Sequence, residues 1–262
     1  MVSSFIKQLT LILFIIYLMY SSCLGGTPEP IDARLAHILG AASSADPPGK
    51  RIVAMSNHFL GAPYAANTLV GGPDVPERLV AGLDAFDCFT LLDTVEALRR
   101  SSSAGDFLGQ LQLVRYRQGV VAYGERRHFF SDWVADQDSL LIDVTAQVAQ
   151  GRAKPVTKEL NRRDDGTLWL AGIAVTRRDI YYIPAEVIDQ PLLSALQPGD
   201  YVGIYSELAG LDVSHTGLIV KNANRIMLRH ASSRRGVERV VDDDLSSYLQ
   251  GKPGLVVYRV KP

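Results

Sequence analysis

The stretch AFDCFTLLDTVEALRR, Ala85 to Arg100, decides how this chain is read. Its apolar positions Cys88, Leu91, Leu92, Val95 and Leu98 have the spacing of one buried helical face, and Arg99 and Arg100 are cations suited to a helix C-terminus. Asp84 or Asp87 can cap the start. Cys88 then sits in the first turn, where unpaired N–H groups and the positive end of the helix dipole favour a thiolate. A nucleophilic cysteine also needs a base to take its proton and a partner to orient that base.

The 262 residues hold five histidines, and two of them lie in strand-like runs. VSHTGLIV, Val213 to Val220, is β-branched with Ser214 and His215 near its head. NRIMLRHASS, Asn224 to Ser233, follows after turn residues Asn222 to Asn224 and carries His230. As an antiparallel hairpin the two runs can set His215 and His230 side by side. Taken singly, His215 reads as a polar residue at a strand edge and His230 as a surface residue before a loop. Cys88 taken alone reads as a buried, inert thiol.

The first residues suggest export. Met1 to Ser22 places Lys7 ahead of the apolar run Leu11 to Tyr20, which is short for a membrane span and gives way to small residues, as a signal peptide does. The run ends MYSSC, similar to a lipoprotein cleavage site that would leave Cys23 acylated, although Tyr20 stands where such sites carry an aliphatic residue. An ordinary cut nearby, giving a soluble product, is the other outcome. Cys23 is the only other cysteine, so a structural disulfide would have to join it to Cys88, and Cys88 is otherwise a free thiol in an oxidising compartment.

A helix-borne cysteine preceded by Asp, a His-Thr-Gly-aliphatic strand and a strand ending His-Ala-Ser together resemble the NlpC-type, papain-like cysteine peptidases that cut bacterial cell-wall peptides. FLGAPYAANTL (Phe59 to Leu69), FDCFTLLDTVEAL (Phe86 to Leu98), RYRQG (Arg115 to Gly119), RRHFFSDW (Arg126 to Trp133) and LQPGDYVGIY (Leu196 to Tyr205) look like the N-acetylmuramoyl-L-alanine amidase-like group within them. The resemblance implies Cys88 as nucleophile, His215 as general base and His230 as the group that orients it. It also implies cleavage of the N-acetylmuramoyl–L-alanine bond of muropeptides, which by ordinary acyl-transfer chemistry runs through a thioester; with the export signal the expected site is the periplasm, and a monomer is expected. The competing readings are an endopeptidase cutting between D-glutamate and the diamino acid of the stem, and an inactive wall-binding module.

Other positions are candidates for the oxyanion site or for substrate contact. Asp87 and Ser214 flank the implied catalytic pair. Tyr64 matches a position where the superfamily often has an active-site tyrosine, and otherwise reads as a packed aromatic after a Pro turn. His128, Ser131 and Asp132 lie in RRHFFSDW, whose composition suits either a substrate wall or a helix packing Phe129, Phe130 and Trp133 into the core. Arg234, next to Arg235, could meet a muropeptide carboxylate.

A net charge of -1 with interspersed signs argues against nucleic acid. GGPD, Gly71 to Asp74, fits no phosphate-binding pattern and reads as a loop. With no H-E-x-x-H and no paired C-x-x-C, neither metal nor cofactor is expected, and membrane contact is expected only through a lipid on Cys23. The expected organisation is a signal peptide (1–22), a tether (23–30, with GTPEP) and one domain (31–262). Helices are read at Ile31 to Ala42, Asp87 to Arg100, Ala104 to Gln118 and near Pro184 to Gln190, the last stopped by Pro191. Strands are read at Tyr201 to Tyr205, Val213 to Val220, Arg225 to Arg229, Val237 to Val241 and Leu255 to Val260. The fold class is α+β, papain-like, with the nucleophile helix packed on an antiparallel sheet and extra N-terminal helices.

Overall fold

The structure, a computed structural model, describes residues 31–135, 139, 141–222 and 225–261. The signal segment, Cys23, the tether and part of the turn at Asn222 to Asn224 lie outside the described residues. The helices α1 (Ile31–Leu39) and α2 (Pro48–Asn57) lead to a small antiparallel ribbon of β1 (Val70–Gly72) and β2 (Val75–Arg78), with Pro73 and Asp74 in its turn. Three further helices follow, α3 (Cys88–Arg100), α4 (Phe107–Arg115) and α5 (Asp132–Ala135).

The rest of the chain builds an antiparallel sheet, in the order β4 (Lys154–Leu160), β5 (Thr176–Pro184), β10 (Gly254–Val260), β6 (Tyr201–Tyr205), β7 (Val213–Asn222), β8 (Arg225–Ser232) and β9 (Arg239–Asp244). An eighth short strand, β3 (Leu141–Asp143), pairs with β10. Side chains alternate across this sheet and fill two cores. Leu218, Val220, Tyr201 and Val256 face the α1–α4 layer, where α3 packs on β7 and β8. Ile219, Leu228, Val202 and Val257 face the opposite way, against α6 (Thr145–Ala149), α7 (Gln190–Ala195) and α8 (Leu245–Tyr248). Burial on both sides explains why Gly217 to Val220 reads as a continuous apolar run.

Helix α3 is buried nearly all round, not only on the apolar face that its spacing marks. Asp93 accepts from Arg115 at 2.8 Å, and Glu96 accepts from Tyr201 Oη at 3.0 Å and from Arg99 at 2.6 Å. Its polar residues are thus interior ion pairs and hydrogen bonds, so the helix is wedged between the sheet and its neighbours α2 and α4.

Three expectations are corrected. The helix read from Ala104 to Gln118 opens as a 3₁₀ turn and is α-helical only over α4, because Tyr116 turns extended and Gln118 takes a left-handed φ of 52°. Pro191 does not stop a helix. It stands in the first turn of α7, where its missing N–H costs nothing and Asp189 caps the Leu192 N–H at 3.1 Å, while Pro184 closes a strand. The β4–β5 pair was not anticipated, since β4 is mostly polar and charged and the apolar residues of β5 are confined to the short run Ile180 to Ile183 before Pro184. The strand read at Val237 to Val241 begins later and runs on to Asp244 because the chain is still turning at Glu238, with φ 41°.

Candidate active site

Asp87 is the N-cap of α3. Its Oδ1 accepts from the N–H groups of Phe89 at 3.0 Å and Thr90 at 2.7 Å, while Thr90 Oγ1 accepts from the Asp87 N–H at 3.0 Å. This closes a capping box directly around Cys88. The Asp87 Oδ1 is therefore occupied as a cap. Asp84, the other capping candidate, instead pairs with Arg34. Thr216 Oγ1 donates to the Cys88 carbonyl at 2.9 Å and ties the head of α3 to β7.

The thiol is half-buried, and burial pushes its pKa up. The Asp87 carboxylate adds to that, whereas hydrogen bonds from Thr216 and from the N–H of Cys88 pull the other way by less. Cys88 therefore rests as a neutral thiol. Desolvation and a neighbouring anion thus oppose the thiolate that the helix start favours.

The base side comes from three adjacent strands. His215 Nε2 lies 2.7 Å from His230 Nδ1, and His230 Nε2 lies 3.2 Å from Asp243 Oδ2. The register pairs His230 with Val241, two residues before Asp243 and so on the same face of β9. Gly217 makes the approach of the histidines possible: a Cβ there would lie 2.7 Å from the Arg229 carbonyl oxygen and 3.1 Å from His230 Cβ. The rings meet edge to face at 4.8 Å, and Tyr248 covers them with its ring 5.0 Å from that of His230 and 6.0 Å from that of His215.

This chain orders the tautomers. A neutral His230 that directs Nε2–H at the Asp243 carboxylate keeps Nδ1 as an acceptor. His215 then donates from Nε2, which leaves the lone pair of its Nδ1 to take a proton. Burial, with His230 and Lys252 adding to it, lowers the His215 pKa to about 3. Burial also lowers that of His230, against the opposing pull of Asp243. Tyr248 is pushed up to about 12 by burial, then by Asp243 and Cys88, and so stays a phenol.

Two hollows meet at His215. Cys88, His215 and Thr216 line a cleft of about 300 Å³ whose walls include Phe89, His128 and Trp169. On the other side of His215 a more polar cavity of about 550 Å³ is lined by His230, Arg234, Tyr248 and Lys252. Ser214 borders both, with its hydroxyl 3.4 Å from the Ile204 carbonyl. Tyr64 stands near Cys88 without lining the cleft: its backbone bridges to Phe86, and its phenol pKa is raised by burial, then by Cys88 and Asp87.

The segment RRHFFSDW serves both readings in part. His128 lines the cleft with Nε2 on the Tyr123 carbonyl at 2.8 Å, and Phe129 and Phe130 back it, while Trp133 is core. Ser131 and Asp132 are corrected. Both are 2% exposed and neither lines the cleft. Arg178 donates to Ser131 Oγ at 3.1 Å and to Asp132 Oδ1 at 3.0 Å, and Arg117 reaches the same carboxylate oxygen at 3.1 Å. Those arginines come from elsewhere in the chain and turn two polar residues into interior struts. Arg234 is exposed above the polar cavity, with its guanidinium 3.7 Å from Asp243.

Sequence reasoning passed over Thr216, Asp243, Tyr248, Lys252 and Trp169. Asp243 had a usable signal, since a strand prolonged by two residues beyond Val241 would have placed it on the His230 face. Among the described residues no group of three or more His, Cys, Asp or Glu is placed to hold a metal ion.

A comparison with curated proteins finds no match. Among solved structures, an N-acetylmuramoyl-L-alanine amidase from Bacteroides uniformis superposes with a TM-score of 0.67 at 28% identity, covering 82% of this chain and 99% of that one. A Bacteroides fragilis protein named as a presumed xylanase gives 0.64 at 28% identity over 78% of this chain and 98% of its own. A Legionella pneumophila protein shares the fold, with a TM-score of 0.71 at 23% identity over 88% of this chain and 93% of its own. Residues 54–255 match the AmiA-like family, described as N-acetylmuramoyl-L-alanine amidase-like, and the chain belongs to that family.

Proposed function

We propose that this protein is a cysteine amidase of papain-like arrangement that cleaves the bond between N-acetylmuramic acid and L-alanine in peptidoglycan fragments. One observation carries the reading: a thiol at a helix start and an oriented imidazole line the same cleft, with His230 and Asp243 behind the base. Because the thiol and His215 are both neutral at rest, the proton passes from Sγ to His215 Nδ1 as sulfur attacks the lactyl carbonyl. The oxyanion is met by the Cys88 N–H, since the Asp87 cap takes the N–H groups of Phe89 and Thr90 and leaves that of Cys88 to the cleft.

Collapse of the tetrahedral intermediate breaks the C–N bond, and His215 returns the proton to the departing L-alanine amine. Water, deprotonated by His215, then cleaves the muramoyl thioester, freeing the sugar acid and the thiol. Arg234 and Lys252 give the polar cavity the charge to receive a stem-peptide carboxylate. With the leader read from the sequence, the site of action is the periplasm, the form is monomeric, and Cys23 carries the lipid if that cut is made.

A glycosidase reading is less well supported. Hydrolysis of a glycoside uses two carboxylates flanking the bond, whereas the acidic residue lining this cleft, Asp212, is buried and accepts from the N–H groups of Ser131 and Val213, both at 2.7 Å.

The deciding experiment is mass spectrometry of defined muropeptides incubated with the mature chain and with Cys88→Ala. Free stem peptide beginning with L-alanine, from the wild type alone, is the expected result. A dipeptide left on the sugar would keep the nucleophile and move the bond to the D-glutamyl position. No product from either protein would favour a wall-binding module, and equal product from both would remove Cys88 from the chemistry.

A further inference from the structure

Trp169 is 36% exposed and lines the cleft that holds Cys88, yet its indole is held from two directions. The indole N–H donates to the Ala209 carbonyl at 2.9 Å, and the Arg163 guanidinium lies over the ring, 4.2 Å from its centroid. Arg163 is not part of the cleft lining, so the cation backs the ring while the indole faces the hollow.

The backbone around it is built to keep that pose. Asn161 is fully buried with a left-handed φ of 77°, and its side chain donates to the carbonyls of Leu170 at 2.9 Å and Ile173 at 2.7 Å and accepts from the Leu170 N–H at 2.7 Å. The Asn161 carbonyl takes the Trp169 N–H at 3.0 Å, and its own N–H is held by Gly210 at 2.8 Å. At Gly210, φ 80°, a Cβ would come within 2.8 Å of the indole Cδ1 and 2.5 Å of the Arg162 carbonyl oxygen. A strained asparagine, an obligatory glycine and a cation behind the ring are an elaborate support for an aromatic that covers little core. Such a support is what a preorganised ligand platform requires.

We propose that Trp169 is the stacking platform for the pyranose ring of the muramoyl half of the substrate. This rests on the amidase reading and adds the direction in which substrate lies. A pyranose presents a face of C–H groups that packs on an indole, and polar groups at its edge that leave the ring plane. The stem peptide carries carboxylates that suit Arg234 and Lys252 beyond His215, in the cavity whose lining is polar and cationic. Placing the sugar against Trp169 and the peptide beyond His215 puts the lactyl carbonyl between them, in the part of the cleft that Cys88 and His215 line.

Two measurements test this, one of them free of turnover. The chain has two tryptophans, and Trp133 is fully buried, so fluorescence changes on adding a ligand to the cleft report Trp169. N-acetylmuramic acid added to Cys88→Ala is expected to shift and saturate the emission, and calorimetry with Trp169→Ala to lose that binding. In turnover, Trp169→Ala is expected to raise KM for a muropeptide about tenfold while kcat changes little, with Trp169→Phe close to wild type. On the stem peptide acylated with acetyl in place of muramoyl, the wild type and Trp169→Ala are expected to be alike.

Sugar that binds without altering the emission overturns the platform, as does an unchanged muropeptide KM in Trp169→Ala. A KM loss of equal size on the acetylated peptide overturns it too. A wild type that releases no stem peptide defeats the amidase reading instead, and the sugar titration still decides the platform. If Trp169→Ala does not fold, the comparison is made with Trp169→Leu.

Discussion

The two sides of the proposed active site are built by different means. The nucleophile side is local: Asp87, Cys88, Phe89 and Thr90 form one capping box, and its hydrogen bonds need nothing beyond the first turn of α3. The base side is assembled from β7, β8 and β9, with His215, His230 and Asp243 linked across 15 and then 13 residues of sequence. A local site can be read from a short window, and damage to it stays small or is confined to one group. A cross-strand site depends on register, and a change at one strand should disturb the chemistry at another. The predictions below turn on that contrast.

The largest effect after loss of the thiol itself is expected at the far end of the cross-strand chain. Asp243→Asn keeps a polar group of the same shape opposite His230 but removes the charge that holds its Nε2 protonated. The tautomer of His215 is then no longer enforced, and kcat/KM should fall about a hundredfold with KM little changed. The thermal midpoint should stay close to wild type. A variant as active as wild type would show that His230 orients His215 unaided.

Gly217→Ala touches neither catalytic atom and still should cost more activity than any change in the capping box. The added Cβ meets the Arg229 carbonyl oxygen and the Cβ of His230, so β7 and β8 must part or His230 must tilt. About 1–3 kcal/mol of stability and roughly tenfold in kcat are expected to go together, as seen by denaturation and by muropeptide turnover. Loss of stability with full activity would mean that the strands absorb the methyl without moving the histidines.

Legibility follows the same division. The cap, the apolar face of α3 and the two histidine strands were readable because each is a pattern within a dozen residues. The α+β order of helices before strands was readable for the same reason. Asp243 was not, because its role depends on how far β9 runs, and strand ends depend on pairing more than on composition. Ser131 and Asp132 look like surface polar residues, and only the arrival of Arg117 and Arg178 makes them interior. Trp169 sits in a connection with no periodicity, and its importance rests on Asn161 and Gly210, whose backbone conformations no composition reveals. Cys88 divides in the same way: the helix start that favours a thiolate is local and visible, while the burial that opposes it comes from the whole fold.

Acid should weaken the fold through the base side. His215 has a pKa of about 3 in the folded protein and an ordinary value near 6.5 when unfolded. Between those values the unfolded chain binds a proton that the folded one does not, so stability rises with pH across the window and declines as pH falls through it. The decline should be on the order of 5 kcal/mol, and His215→Gln should flatten it in denaturation series run at several pH values. An unchanged slope in the variant would assign the acid sensitivity to other buried groups.

The smallest effect is expected on the local side, where two functions of Asp87 can be separated. Asp87→Asn retains an oxygen to accept the Phe89 and Thr90 N–H groups but removes a negative charge that raises the Cys88 pKa. The thiol should then titrate lower, and alkylation by iodoacetamide should reach its half-maximal rate at a lower pH than in the wild type. Stability should barely move. Asp87→Ala removes charge and cap together, so it should show the same downward titration with about 1 kcal/mol of destabilisation. If the two variants lowered the titration unequally, the cap geometry as well as the charge would be setting the thiol. If neither lowered it, the thiol would be held neutral by burial alone, which depends on the sheet behind α3 and would make even the nucleophile side a product of the whole fold.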